Sequence, residues 1–443
     1  MASFDESVYR ENRVRDCVHG FIHFSNAEKK IIGLKEFQRL RNIKQLAFTY
    51  YVYPGAMHSR FEHSLGVMEL ATQAVGHLLN RNYRVVETGL KRVGLSVQRM
   101  VDCLRLAALL HDVGHLPFSH GAEGVLPKGK KHEDVSIAII SSLKSKIDQW
   151  YFEGATDVVV QLIQKEPVVP ELSFMKNILS GQIDVDRMDY LLRDSLHCGV
   201  KYGTFDHERL LETLLVIDSD TGGIGLAIDS GGVQALEALI LARYYMYTQV
   251  LFHRTRRIYD IYLHKYLEER NVKFPNLTDI AKIDDLDWTI EMRRVAEQVD
   301  EPGNQWARCI VKREHHSSVY ETNAFAGTPD RMLCDKIYNS LKAEFRDHDF
   351  IIDSNAKGTI HKFVRPDEEE MGDFFYVKTK QGQYKLITEV SKIIRDMPKG
   401  FHVIRIYAKN NSPRQQDGDD PVPQRVRDEV KKRAVELEGR GLV

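Results

Sequence analysis

The stretch RLAALLHDVGHLPFSH, Arg105–His120, sets three histidines and an aspartate directly after an apolar run. Leu104, Leu106, Ala107, Ala108, Leu109 and Leu110 are apolar nearly all round, which predicts a helix inside the protein. Burying an unpaired carboxylate beside an imidazole is strongly unfavourable, so His111 and Asp112 need hydrogen-bond partners or a metal ion. Imidazole nitrogen with carboxylate oxygen suits Fe, Mn, Zn, Co or Ni, and also serves Mg. Two ligands do not complete a site. Upstream, HSRFEH puts His63 on another amphipathic pattern; downstream, GQIDVDRMDYLLRD carries Asp184, Asp186, Asp189 and Asp194. Each has an ordinary reading alone, as an interior histidine, a helix cap or a surface charge. Their order, H then HD then D, each inside helix-forming sequence, is what points to a divalent-metal centre.

The elements that must position these groups read mostly as helices up to about Tyr266. FQRLRNIKQLAF and EHSLGVMELATQAVGHLL carry apolar residues at steps of three and four, and VQALEALILARYYMYTQVLFHRTRRIYDIYLHKYL continues the pattern. LLVIDSDTGGIGLAID interrupts it as a β-hairpin, with apolar runs about a Gly-rich turn. After residue 271 helices alternate with short strands: DRMLCDKIYNSLKAEF is helical, DFFYVKTKQGQYKLI a hairpin and FHVIRIYAKN a strand. The expected organisation is mainly α: a helical bundle over residues 1–270, a smaller α+β unit over 271–408, and a flexible linker with a charged tail over 409–443.

Bulk composition narrows the function classes. The 443-residue chain carries 62 basic and 63 acidic residues, so no global field draws it to nucleic acid or a membrane surface. Five scattered cysteines without a CxxC pair argue against a disulfide framework or a thiolate zinc site, and for a reducing compartment. No run approaches the length of a membrane span and MASFDESVYREN lacks a signal pattern, so a cytoplasmic location is expected.

Taken together, VHGFI, FQRLRNIKQLAFTYYVYPGAMHSRFEHSLGV, LLHDVGHLPFSH, HEDVS and IDVDRMDYLLRD resemble the HD phosphohydrolase superfamily. Within it they are most similar to the deoxynucleoside triphosphate triphosphohydrolases, the mammalian SAM-and-HD-domain type and its bacterial relatives. The resemblance covers roughly residues 14 to 265. It implies an HD-domain helical core with a divalent metal held by His63, His111, Asp112 and Asp186. It assigns His115 to the α-phosphate and places His120 with Glu123, and His132 with Glu133, near the scissile bond, His120 being the better candidate for protonating the leaving oxygen. Arg60, Arg187 and Arg243 match phosphate-binding positions, Arg187 standing in for a lysine. Gln45, Leu46, Tyr190 and Asp194 match the sugar pocket, and Tyr247 flanks the nucleoside.

Some positions depart from the mammalian pattern. Tyr247 and Leu251 stand where histidine and tyrosine are found, which leaves base preference open. Gly33 replaces an aspartate that reads a guanine activator, although Gln38 and Arg41 of that activator site persist. The expected function is metal-dependent cleavage of a deoxynucleoside triphosphate (dNTP) to deoxynucleoside and inorganic triphosphate. A homo-oligomer, dimer or tetramer, and a nucleotide activator are the partners the resemblance implies, with no membrane partner. The alternatives are an HD-family phosphatase, phosphodiesterase or nuclease, or a non-catalytic nucleotide sensor. The missing basic stripe counts against nucleic acid as substrate.

Overall fold

A computed structural model describes residues 6–218, 224–365, 374–410, 422 and 424–439. The protein is mainly helical, as its apolar periodicity predicts. Helix Arg60–Arg92 packs along helix Val97–Leu110 and crosses helix Val185–Cys198, and these three carry the H…HD…D residues. Leu104, Leu106, Leu109 and Leu110 are essentially sealed from solvent. Each such leucine contributes about 1.5–3 kcal/mol, which anchors the segment that presents His111 and Asp112.

Several elements differ from the sequence expectation. FQRLRNIKQLAF does not form one helix. It splits into a turn of helix Lys35–Gln38, a 3-10 turn Arg39–Asn42 and another at Ala47–Tyr51. Between them Lys44 bridges Ser59 as an isolated strand pair. The long run from Val233 breaks at a π-turn, Met246–Leu251, between helices Val233–Tyr245 and Arg254–Glu269. The N-terminal motif VHG forms the turn of a hairpin, Asn12–Asp16 with Gly20–Phe24. Its short strands carry no clean alternation, so periodicity did not reveal it.

The hairpin Leu214–Asp218 with Ile224–Asp229 is antiparallel as expected, although its Gly-rich turn lies outside the described residues. Strand Tyr376–Lys378 joins it in parallel and pairs with Tyr384–Leu386, giving one four-stranded sheet. Strand Gly400–Asn410 is central to a second sheet, between Ser317–Glu321 and His348–Thr359. Helix Thr328–Glu344 covers that sheet. The stretch NNSPRQQDGDDPVPQ expected as a linker falls largely outside the described residues, but the tail forms helix Gln424–Gly439. Val426, Val430 and Ala434 bury against Leu333, Ile337 and Leu341, so this helix is docked rather than fully solvated. Among the described residues, no helix is long and apolar enough to cross a membrane.

Candidate active site

The metal-site residues are brought together from three helices. His63 sits one turn into helix Arg60–Arg92, whose start is capped by Glu62 accepting from the Ser59 amide at 2.7 Å. His111 and Asp112 follow the last turn of helix Val97–Leu110. Asp186 opens helix Val185–Cys198. The neighbouring Asp184 is that helix's N-cap, accepting from the Arg187 amide at 2.7 Å. His63 Nε2 lies 3.1 Å from Asp186 Oδ1 and 3.6 Å from Asp112 Oδ2. His111 Nε2 lies 3.3 Å from Asp112 Oδ1 and 3.7 Å from Asp186 Oδ1.

The donor set fits a divalent cation. His111 donates from Nδ1 to the Ala108 carbonyl at 2.7 Å, and His63 Nδ1 donates to Asp189 Oδ2 at 2.7 Å. Both rings therefore turn Nε2 inward, the atom a metal ion would bind in place of a proton, as metal-ligating histidines do. His111 Nε2 is buried and has no hydrogen-bond partner. The field is also cation-seeking. Burial alone would lower His63, but hydrogen bonds to Asp186 and Asp189 outweigh it and raise its pKa to about 10. Burial would raise Asp112, yet Arg60, His111 and His115 hold its carboxyl well below the usual range. Asp186 keeps 35% of its side chain exposed, so the centre opens to solvent on that side.

Behind the candidate ligands stands a charged layer, of which only Asp189 was singled out from sequence, as one of four aspartates in GQIDVDRMDYLLRD. Asp189 bonds His63 with one oxygen and His19 Nε2 with the other, at 2.6 Å for the latter. Arg193 grips both Asp189 oxygens at 2.9 Å and reaches Asp16 at 2.8 Å. Gly66 permits this: a Cβ there would collide with Asp189 Oδ1 and Arg193 Nη2. Sequence had one signal for it, a DxxxR pair four apart on the helix that carries Asp186, aligned on one helix face.

Next to the metal-site residues lies a histidine cluster. The helix ends before His115, whose Nε2 contacts Asp112 Oδ1 at 3.2 Å. Burial, then Arg60 and His132, keep His115 well below the ordinary histidine pKa, so it is neutral. Its ring stacks on His132 at 3.9 Å and meets His120 edge-on at 4.9 Å. Gly114 makes the stack possible, because a Cβ there would strike the Ser136 amide and the His132 carbonyl. Glu123 Oε1 accepts from His120 Nδ1 at 3.0 Å and from His132 Nδ1 at 2.6 Å. The two separate histidine–carboxylate sets read from sequence are thus one shared set, with Glu133 only 3.6 Å from His132. The four groups lie close enough to suggest a second ion. Ligand lone pairs lie in the imidazole plane, however, and near-parallel stacked rings cannot both aim at one ion. The cluster is better suited to moving protons, with the Nε2 atoms of His120 and His132 left free.

The residues expected at the substrate divide into three groups. Arg60 pairs with Asp112 and donates to Ser119 Oγ at 2.9 Å, so it stands at the metal-site edge. Gln45 and Leu46 follow the Lys44–Ser59 bridge, the Gln45 amide donating to the His58 carbonyl at 3.0 Å. His58 Nε2 in turn bonds Asp194 Oδ1 at 2.7 Å. Gln45 Oε1 is buried without a partner, a polar atom free to meet a ligand. Arg243 approaches the Tyr247 hydroxyl at 3.4 Å, and both perturb Tyr190. Burial, then Tyr247, raises the Tyr190 hydroxyl well above its ordinary value. Arg187 is turned back onto its own helix start, bonding the Gly181 carbonyl and lying 3.3 Å from Asp184. Tyr247 stacks on Phe252 at 5.7 Å and packs edge-on against Phe401.

Known proteins share this plan. The HD domain family matches residues 60–194, and the HD-associated region matches residues 205–334. The uncharacterized protein MJ1154 of Methanocaldococcus jannaschii is 36% identical over 62% of this chain and 53% of its own length. The mouse deoxynucleoside triphosphate triphosphohydrolase SAMHD1 is 34% identical over 44% of this chain and 33% of its own length. The chain thus spans about half, and a third, of these two relatives. A crystal structure of a hypothetical protein from Aquifex aeolicus superposes with a TM-score of 0.73 at 26% identity, covering 95% of this chain and 99% of that one. With an H…HD…D set converging where the family match runs, and the associated region following it, this chain belongs to the HD-domain phosphohydrolases.

Proposed function

We infer that the protein hydrolyses deoxynucleoside triphosphates at the α-phosphorus, releasing deoxynucleoside and inorganic triphosphate. The carrying observation is the junction at Asp112, which touches the metal-site histidines on one side and His115 of the proton-transfer cluster on the other. His63, His111, Asp112 and Asp186 would hold a divalent ion, which when bound supplies the charge that polarises a phosphoryl group and acidifies water. The remaining work falls to protein groups. His115 would offer its Nε2–H, which contacts Asp112 here, to a phosphate oxygen when the substrate takes that place. Arg60 and Arg243 supply positive charge toward the rest of the triphosphate, with Arg187 joining them only if it leaves the Gly181 carbonyl. Glu123 pins Nδ1–H of His120, so the proton for the leaving 5′-oxygen would come from Nε2; burial lowers the His120 pKa, which makes the ring a readier proton donor, and the Glu123 bond opposes that shift.

The choice of dNTP over other phosphoesters rests on the similarity to SAMHD1 and on Gln45, Leu46, Tyr190 and Asp194 as a sugar pocket. Tight packing at these residues would exclude a 2′-hydroxyl, and a hydrogen-bonded 3′-hydroxyl would be required because losing it strands buried polar groups. The chain is proposed to act as a homo-oligomer in the cytoplasm. Incubation with the four dNTPs and with ATP, across Mg, Mn, Fe and Co, tests the reading. Triphosphate appearing in one step, with dATP favoured over ATP at least 100-fold in kcat/KM, is the expected result. Release of orthophosphate or pyrophosphate would assign a phosphatase instead, and equal rates on dATP and ATP would refute the sugar pocket.

A further inference from the structure

The loop that carries His115 and His120 makes a turn that its own sequence disfavours. Phe118 and Ser119 both adopt left-handed backbone, at φ 58° and 56°, and neither is glycine. Two such residues in succession persist only where the surroundings hold them. The turn drives Phe118 into the core, stacked on Phe48 at 4.5 Å, and sends His120 out toward Glu123 and His132. A relaxed turn would re-aim His120.

Four residues hold it, and the one furthest along the chain comes from the HD-associated region. Asp285, first residue of helix Asp285–Ala296, is 1% exposed. Its Oδ1 accepts from the Phe118 amide at 2.7 Å, and its Oδ2 accepts from the Lys44 amide at 3.0 Å. Ser119 Oγ donates to the Lys44 carbonyl at 2.9 Å and accepts from Arg60 Nε. Arg39 donates to the Val113 and His115 carbonyls at 2.9 and 2.7 Å, and to the Ile283 carbonyl at 2.8 Å. One carboxylate thereby ties the catalytic loop to the segment that leads into Gln45. It accepts these bonds while buried near Asp284, with Lys44 and Arg39 as the nearby cations.

We propose that Asp285 is a positioning residue for the reaction: through the Phe118 and Lys44 amides it fixes the left-handed turn that aims His120, so the associated region completes the active site. The claim rests on the hydrolytic reading above for its kinetic readout, and its structural readout is independent of it. Asp285 itself touches none of the proposed ligands or proton-transfer side chains among its hydrogen bonds.

The test compares wild type with Asp285→Asn, which keeps one acceptor of the same shape, and Asp285→Ala, which keeps neither. Each is loaded with Mn and assayed for metal content, for kcat and KM on the best dNTP, and for amide hydrogen exchange. The expected result for Asp285→Asn is kcat lowered at least 10-fold with KM and metal content within twofold, and a larger drop in kcat for Asp285→Ala. Exchange should quicken in peptides covering residues 113–121 while those covering 64–80 stay protected. A kcat within twofold of wild type in both variants would overturn the proposal. So would exchange that rises evenly along the chain, the mark of a merely structural role. If wild type cleaves no dNTP, the hydrolytic reading fails, and local exchange alone then supports or overturns the anchoring of the turn.

Discussion

Substituting Asp189 by Asn separates metal affinity from metal ligation, because Asp189 stands one hydrogen bond behind His63. Its carboxylate takes the Nδ1 proton of His63, a bond with His19 and two bonds from Arg193. An amide offers one acceptor oxygen and presents an NH2 group to the other donors. If the oxygen stays on His63, the NH2 group meets His19 and Arg193; if it flips, His63 loses its anchor. Losing such a support costs about 10–100-fold in metal affinity, equivalent to roughly 1.4–2.8 kcal/mol. Stability should also fall. Arg193 is fully buried and would keep only Asp16 as a counter-charge, at 2.8 and 3.3 Å. Breaking a buried pair outright costs about 3–5 kcal/mol, and the surviving Asp16 contact puts the loss near the lower end. Chelator competition at a temperature where circular dichroism shows the variant folded gives the affinity; urea unfolding of the metal-free protein gives the stability. Metal affinity within twofold of wild type in a folded variant would refute the idea that Asp189 supports His63.

Two further outcomes follow from the geometry. Because Glu123 serves both His120 and His132, Glu123→Gln should lower kcat at least as much as His120→Ala, by about 10²-fold or more, with metal content unchanged in both; steady-state kinetics with elemental analysis checks this, and a Glu123→Gln loss much milder than that of His120→Ala would return the two histidines to independent roles. Burial pushes the Asp285 carboxyl up to about 6, against its bonds from the Lys44 and Phe118 amides. The folded state therefore holds this proton more tightly than the unfolded chain, so the group's contribution to stability falls as pH rises from about 4 to about 6, by roughly 3 kcal/mol. Urea unfolding of wild type minus Asp285→Asn across that window should show the decline, and a flat difference would refute it.

The legible part of the protein was the part whose physics is local or combinatorial. An all-round apolar run ending in HD had to be an inner helix, and it is. Glu123 three residues after His120 was readable as an orienting carboxylate, because that spacing closes on a helical turn. Its second bond, to His132 nine residues on, was not, since it depends on Gly114 letting the loop press against another helix. Arg187 shows the opposite failure. The match to a phosphate-binding position said where the residue stands, not where its side chain points, and the Gly181 carbonyl and Asp184 claim it here.

The residues whose role the sequence did not show share one character: they hold other residues rather than act. Asp16, His19, Asp189, Arg193, Arg39 and Asp285 bond across 4 to more than 200 positions of chain, mostly to backbone or to a partner's far side. Apart from the four-residue spacing of Asp189 and Arg193, no periodicity marks them, and each alone is an ordinary charged residue. What makes them necessary is burial. A carboxylate or guanidinium enclosed by apolar helices is tolerable only if each polar atom is matched, so the fold must spend side chains on matching. Here that matching reaches the metal-site residues from two directions. The N-terminal hairpin delivers Asp16 and His19 to the layer behind His63, and the associated region delivers Asp285 beneath the turn at Phe118. The HD segment supplies the proposed ligands and proton-transfer histidines, but their aim is set from outside it. A fragment trimmed to residues 60–194 should for that reason keep the motif and lose the geometry.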